Sequence, residues 1–391
     1  MPNIQTNHLT YKVLPQTQDG YTFHYIADAL GSDEKLLFTT FEDKRFFLKI
    51  VERKDDFLIK QDKLTRISPI YIIKNALKAF QKLHALEVTF SNIESKKEAS
   101  HMEKSNDYLK SISYFAHEFQ SDKEVWVEVG FGSGRHLLHQ AAKNPHIQFI
   151  GLEIHRPSIE QVIKQCKIQN LNNLLIAAFD ARIFLEFLPS NSVGKIFVHF
   201  PVPWDKKPHR RVISTTFIDE STRVLKQAGT LELRTDSENY YAYAYETFIA
   251  LSQCDLQIRK NQEIAISSKY EDRWKKQEKN IYDITLTNQN ISEEKAPIKA
   301  LTFEKNVSFK NIIEKFTPHV YKGDDFFVHF ERLYSFGKES GIIKLSFGAF
   351  EKCEHKYLIF NDNKIQYFPY EALPIAQNLK SHEKIEEFLY A

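Results

Sequence analysis

Cysteine is scarce in this chain: three residues in 391, Cys166, Cys254 and Cys353, far apart and with no CxxC pair. That scarcity argues against a disulfide framework or a zinc cluster, so no metal is expected and a reducing cytoplasm fits best. No apolar run approaches the roughly 20 residues of a membrane span. The opening MPNIQTNHLTYKV lacks the charged-then-apolar layout of a signal peptide. Net charge is nearly absent too, at +2, so any grip on a polyanion must come from local basic clusters. Two are present, Lys206-Lys207-Pro208-His209-Arg210-Arg211 and Arg273-Trp274-Lys275-Lys276. Each taken alone is also what a solvated surface looks like. Glycine is sparse, with 12 residues, yet four of them fall between Gly130 and Gly151.

What is present suits an ordinary globular protein, with 42% hydrophobic and 27% charged residues. The length allows two or three domains. Residues 1–100 form a strand-rich N-terminal region, because LLFTTFEDKRFFLKIVE and DDFLIK alternate apolar and charged positions. A helical pattern follows at YIIKNALKAFQKLHAL, and Asn92–Asp107 is polar, without periodicity, and reads as a linker. From about residue 105 to 290 the text changes to strand, loop and helix in alternation. VWVEVG, QFIGLEIH, NLLIAAFD, GKIFVHF and GTLELRTD are the strands. This alternation predicts an α/β, doubly wound, Rossmann-like domain with parallel strands and helices on both faces. Ligand sites are then expected at the strands' carboxyl ends. Residues 295–391 return to antiparallel-looking strands closed by the helical HEKIEEFLYA, an α+β region.

The glycines cluster at one strand-to-helix turn, Glu128-Val129-Gly130-Phe131-Gly132-Ser133-Gly134. Glycine there lets backbone pass close to a ligand, and the helix starting near Arg135 offers its amide-rich end to a polar group. A dinucleotide fingerprint would need its third glycine at position 135, which is Arg135. The observed spacing is instead similar to the first motif of S-adenosylmethionine methyltransferases. Glu128 sits where the cofactor's ammonium needs a counter-charge. Glu153, after Gly151-Leu152, can accept ribose hydroxyls, and Asp180, before Ala181, can take the adenine amino hydrogens. A structural turn explains the glycines alone; acids at three successive strand ends favour the cofactor.

The fourth strand runs into FPVPWDKKPHRRV. From Glu124 to Ile284, about two-fifths of the chain, the sequence resembles the bacterial tRNA (guanine-N7)-methyltransferases. The supporting strings are EVGFGSGRHLL, NPHIQFIGLEIHRPS, FPVPWDKKPHRRV, LRTDSENYYAYAYE and SSKYEDRW. The resemblance implies a class I methyltransferase domain that uses S-adenosylmethionine to methylate N7 of a guanine in the tRNA variable loop. It implies Glu128, Gly130, Gly132, Gly134, Glu153, Asp180 and Ala181 as cofactor-binding. Lys206, Asp236, Ser268 and Glu271 are implied as substrate-binding, and Lys207, His209, Arg210 and Arg211 as contacts to the tRNA backbone.

Guanine N7 carries a lone pair and no proton, so attack on a sulfonium methyl needs alignment and not a general base. The catalytic expectation therefore falls on Asp236 and Glu271, carboxylates that can stabilise the charge developing on the purine or pair with its N1–H and N2–H₂ edge. Two departures from the family pattern stand out. Val202 replaces the acid of F-P-D-P-W, and Ser268 replaces a threonine. Trp204 suits either a stiff turn or stacking, and His199 suits packing or a phosphate contact. Tyr241 and Tyr245 share a helical face expected to pack in the core. The flanking regions are expected to help grip tRNA or to stabilise the core. Monomer and homodimer stay open. Two other readings also stay open: a methyltransferase on another substrate, and an RNA-binding protein with a weakened site.

Overall fold

The computed structural model describes residues 1–67, 69–94, 107–264, 266, 277–296, 299–350, 352–362 and 364–391. The chain divides into two compact units, one of Met1–Ser100 with Ile298–Ala391 and the other of His101–Pro297.

The N-terminal stretch supplies seven strands, β1 (Asn3–Thr6), β2 (Gln16–Gln18), β3 (Tyr21–Ala29), β4 (Glu34–Phe41), β5 (Lys44–Glu52), β6 (Phe57–Gln61) and β7 (Val88–Ser91). Helix α1 (Ile70–Leu83) lies between β6 and β7. Its apolar residues recur every three or four positions, and Ile72, Ile73, Ala76, Leu77, Phe80 and Leu83 are all buried. They pack on Ile4, Phe23, Leu37, Leu48 and Ile59 from the strands.

The middle unit begins with β8 (Leu109–Lys110), α2 (Ile112–His117), β9 (Glu124–Val129), α3 (Arg135–Lys143), β10 (Ile147–Leu152), α4 (Arg156–Ile168) and β11 (Leu174–Ala177). It continues with α5 (Ala181–Phe184), β12 (Val193–His199), α6 (Thr215–Val224), β13 (Leu225–Thr235), α7 (Glu238–Ile249), β14 (Asp255–Lys260) and β15 (Tyr282–Thr287). Serine side chains cap α2, α6 and α7: Ser111, Ser214 and Ser237 accept from the backbone N–H three residues on. Strand order is β14-β15-β13-β12-β9-β10-β11-β8. The sheet is parallel from β13 through to β8. β15 pairs antiparallel with both β13 and β14, so it runs against the rest of the sheet, a departure from uniformly parallel pairing. The chain leaves β9 toward β10 and returns on β9's other side as β12. Loops after β9 and β12 therefore diverge and open a crevice at their carboxyl ends.

The C-terminal stretch carries α8 (Phe309–Lys315), β16 (His319–Lys322), β17 (Phe327–Ser335), β18 (Gly341–Ala349), β19 (Lys352–Asn361), β20 (Lys364–Phe368) and α9 (Ala376–Tyr390). These strands do not form a sheet of their own. β17 pairs with β3 through Tyr334↔Ala29 and Ser335↔Asp28, giving the order β20-β19-β18-β17-β3-β4-β5-β6-β1-β7. The sheet curls, because Phe368 of β20 packs on Phe47 of β5 with centroids 5.2 Å apart. Inside the curl, Ala27, Leu36 and Phe47 share one cluster with Tyr334, Ile342, Tyr357 and Ile359. Both chain ends thus build one core. Among the described residues no helix is long and apolar enough to cross a membrane.

Candidate functional site

The crevice between β9 and β12 is lined by Glu128, Gly130, Phe131, Gly132, Ser133, Arg135, His136, His199 and Phe200, together with Ile264 and Ile266. Its floor is the glycine turn. Gly130 has φ +67°, and a Cβ built there would meet nothing within 4 Å. Gly134 has φ +70°, but a Cβ there would lie 2.3 Å from Val162 of α4. The two glycines differ in purpose: Gly134 lets helix pack against helix, whereas Gly130 leaves backbone bare beside open space.

Each of the three strand-end acids has partners on the protein. Glu128 is 3% exposed, and its Oε2 lies 2.7 Å from Nδ1 of His136 in the first turn of α3. Glu153 accepts three backbone N–H groups, from Gly132 at 2.9 Å on Oε2 and from Ile154 and His155 at 2.8 and 2.9 Å on Oε1. These bonds clamp the glycine turn to the tip of β10 and leave Oε2 with a spare lone pair. Asp180 caps α5 through Arg182 N at 3.0 Å and forms an ion pair with the Arg182 guanidinium at 2.8 Å. Ala181 is buried behind it.

A charged ladder crosses the sheet under the crevice. Nε2 of His199 lies 2.8 Å from Oε1 of Glu232 on β13, and the His199 and His136 rings stand 4.6 Å apart. Burial would raise the Glu232 carboxyl, but the hydrogen bond and charge of His199, helped by His136 and Lys195, hold its pKa below the usual value. On the same strand Arg234 donates to Asp283 of β15 at 2.6 Å. Burial wins at Asp283, whose pKa is raised despite that arginine. His199 is therefore a partner for Glu232 as well as a wall of the crevice.

Beyond β12 the backbone turns sharply. Phe200 and Trp204 both take left-handed conformations, with φ 49° and 46°, costly for bulky side chains and typical of functional turns. Between them Val202 is 60% exposed. Lys206, Lys207, His209 and Arg210 are exposed, and the Arg210 guanidinium lies 5.2 Å over the Trp204 ring.

Arg211 departs from expectation. It is 6% exposed, donates from Nε to the Pro203 carbonyl at 2.8 Å, and pairs with Asp205 at 3.3 Å. Its guanidinium lies over the Tyr240 and Tyr243 rings at 5.3 and 4.6 Å. Arg211 therefore anchors the loop from inside and is not presented for phosphate. The tyrosine run also differs: Tyr240, Ala244 and Phe248 form the core face of α7, while Tyr241 stacks on Tyr282 and Tyr245 is exposed.

Asp236 follows the end of β13, and Lys279 donates to it at 2.9 Å. Ser268 and Glu271 lie outside the described residues, as does the Arg273–Lys276 cluster. Sequence reading missed His136, Arg182, Glu232 and Lys279 as partners of these groups. For His136 a signal existed, its place in the helix turn directly after the glycines.

A family model described as "Putative methyltransferase" matches residues 122–284. A protein of Wolinella succinogenes is 42% identical over 393 residues, covering 100% of both chains. One from Campylobacter jejuni is 40% identical over 100% of this chain and 98% of its own, and one from Helicobacter hepaticus 39% over 100% and 99%. All three carry the name tRNA (guanine-N(7)-)-methyltransferase. Among solved structures, an rRNA methylase from Streptococcus thermophilus overlaps 46% of this chain and 94% of its own with a TM-score of 0.32 at 11% identity. A precorrin-6y C5,15-methyltransferase from Geobacter metallireducens overlaps 45% and 85%, with a TM-score of 0.33 at 15% identity. The curated relatives match the strand-rich ends as well as the crevice, although the sequence motifs stop at the middle unit. With its Gly130 turn, its strand-tip acids and this end-to-end likeness, the chain belongs to the tRNA (guanine-N7)-methyltransferase family.

Proposed function

We propose that this protein transfers a methyl group from S-adenosylmethionine to N7 of a guanine in tRNA, acting in the cytoplasm. The observation that carries the reading is the bare backbone at Gly130, open where a Cβ would stand, in a crevice that Glu128 lines and in a turn that Glu153 holds through the Gly132 N–H. A buried carboxylate suits an ammonium group, and one with a spare lone pair on Oε2 suits a sugar hydroxyl, so these residues fit the cofactor. Glu128 would hold the amino-acid end, Glu153 the ribose, and Asp180 with Ala181 the adenine side, where adenine competes with Arg182. When bound, the cofactor supplies an electrophilic methyl group on a sulfonium.

The chain's own work is binding and alignment. Guanine N7 needs no base, so no residue has to remove a proton from it. Asp236 faces the purine with a carboxylate that Lys279 now holds in place, and it offsets the positive charge the ring acquires. Glu271 is assigned to the same face of the substrate, with Ser268 and Lys206 positioning it. The lost acid at Val202 is tolerated because that side chain points to solvent. Lys207, His209 and Arg210 meet tRNA phosphates, with Arg211 fixing the loop that carries them. The strand-rich unit is assigned to tRNA grip as well.

Incubation with unmodified tRNA and labelled cofactor tests this. Borohydride reduction and aniline cleavage should then cut the labelled tRNA at one guanine. Label at another atom, or none, rejects the proposal.

A further inference from the structure

Glu128 is the most deeply buried acid of the crevice. Among the described residues, the basic group found within 4.0 Å of its carboxylate is the His136 imidazole, a cation only when protonated. Taking a carboxylate out of water without a counter-charge is expensive, on the order of several kcal/mol. His136 is itself nearly covered, with 11% of its side chain exposed, so the two groups are one buried pair.

The surroundings of His136 can be read element by element. From β9 it faces Glu128 at Nδ1. Within α3, Gln140 Nε2 lies 3.2 Å from its Nε2 and donates to the neutral ring, so a second ring proton requires that amide to turn its Oε1 toward His136. From β12 comes the His199 ring, itself paired with Glu232 of β13. Arg234 of β13 is matched by Asp283 of β15. Two carboxylates flank the two imidazoles and favour a proton on His136, while Arg234, although bonded to Asp283, opposes it. Burial opposes the charged form of His136, but the attraction and hydrogen bond of Glu128, with the charge of Glu232, outweigh it and raise its pKa above the usual histidine value. With its proton bound, His136 gives the free site its own cation beside Glu128.

An arriving ammonium group needs the same carboxylate. Two cations on one buried acid repel, and only the imidazole can become neutral by losing a proton. We propose that His136 is a proton-carrying placeholder for the cofactor's ammonium group, so that cofactor capture at Glu128 expels a proton from the site. The inference rests on the cofactor reading above and adds a positioning residue to it: His136 keeps Glu128 aimed and soluble in its own pocket until the ligand replaces it. Proton balance is simple. The imidazolium gives its proton to solvent, and the neutral ring keeps one N–H.

Linkage then sets the direction of the pH dependence. Below the raised pKa of His136, affinity should climb as pH rises, approaching tenfold per unit, and level off above it. The effect belongs to the amino-acid tail. The demethylated product, which keeps the tail, should share it, and adenosine, which lacks the tail, should not.

Titration calorimetry on the full chain tests this, using S-adenosylmethionine, S-adenosylhomocysteine and adenosine in two buffers of different ionisation enthalpy across pH 5.5 to about 8.5. Expected are proton release with both tailed ligands, none with adenosine, and a flat, buffer-independent affinity for His136→Gln. A wild-type protein that binds both tailed ligands without proton release overturns the proposal and leaves the cofactor reading standing. Equal proton release by His136→Gln, or by adenosine, overturns it as well. If neither tailed ligand binds the wild type, the cofactor reading falls and takes this inference with it. The adenosine arm needs no variant and holds even where His136→Gln misfolds.

Discussion

Tyr357 donates its hydroxyl to Oδ1 of Asp62 across 3.1 Å, bridging residues 295 positions apart in the chain. Around this bond, Lys49 pairs with Glu34 at 2.9 Å, Arg332 reaches the same carboxylate at 3.1 Å, and Tyr334 donates to it. The strand-rich unit is thus joined by hydrogen bonds between its N-terminal and C-terminal halves, in addition to its shared apolar cluster.

Replacing Tyr357 by Phe keeps the ring packed on Phe47 but strips Asp62 of that donor. The expected loss is about 1–3 kcal/mol for a buried group left short of a partner, read by denaturant unfolding. Methyl transfer measured well below the unfolding transition should be unchanged. Removing β17 to α9 altogether should abolish the cooperative unfolding of residues 1–94, because four of the sheet's twelve strands go with it.

Gly130 and Gly134 should separate binding from folding. Gly130→Ala adds a methyl group where nothing stands, at a backbone strain of about 1 kcal/mol, and should weaken cofactor binding far more than stability. Gly134→Ala drives a methyl into Val162 and should destabilise by about 1–3 kcal/mol, with partial rescue by Val162→Ala. Isothermal titration and thermal melts on both variants check the split. Equal effects on affinity would argue against a ligand over Gly130.

Asp236→Ala should lower kcat by about a hundredfold or more, the size found when one charge-stabilising group is removed, with cofactor affinity unchanged. Val202→Asp changes an exposed side chain and should leave kcat within about twofold, since surface substitutions rarely exceed 0.5 kcal/mol. A near-normal turnover in Asp236→Ala would remove Asp236 from its assigned role.

Adjacent arginines should behave differently. Arg210→Ala should weaken tRNA binding and reduce the slope of log affinity against log salt by about one. Arg211→Ala should cost about 1.5–3 kcal/mol of stability, as expected for a buried charged donor losing its bonds, without that change of slope. Filter binding across a salt series and thermal melts distinguish the two.

The parts of the molecule legible in the sequence are those where backbone geometry limits residue choice over a few positions. The glycine turn, the acids at the ends of three successive strands, and the alternation of strand and helix are of this kind. They located the crevice. Arg211 reads the same as Arg210 in the string, and only the approach of Tyr240 and Tyr243 from α7, some thirty residues on, tells them apart. His136 stands in the helix turn directly after the glycines, but its bond to Glu128 shows only once α3 is laid against β9. The pairing of β3 with β17 was invisible for the same reason, because a strand's pattern states which face is buried and not which distant strand will lie beside it. Ser268 and Glu271 are untouched by this comparison, since they lie outside the described residues.

The union of β3 with β17 has a consequence for biosynthesis. The Asp28–Ala29 end of β3 emerges from the ribosome some three hundred residues before its partners Tyr334 and Ser335. At roughly 5–20 residues per second, that edge waits on the order of tens of seconds. In the interval the entire methyltransferase unit is made and can fold. An unpaired strand edge is a template for mispairing with other chains. Newly made protein of this family should therefore depend on chaperones mainly through its first hundred residues, and slowed translation of the middle unit should lengthen that exposure.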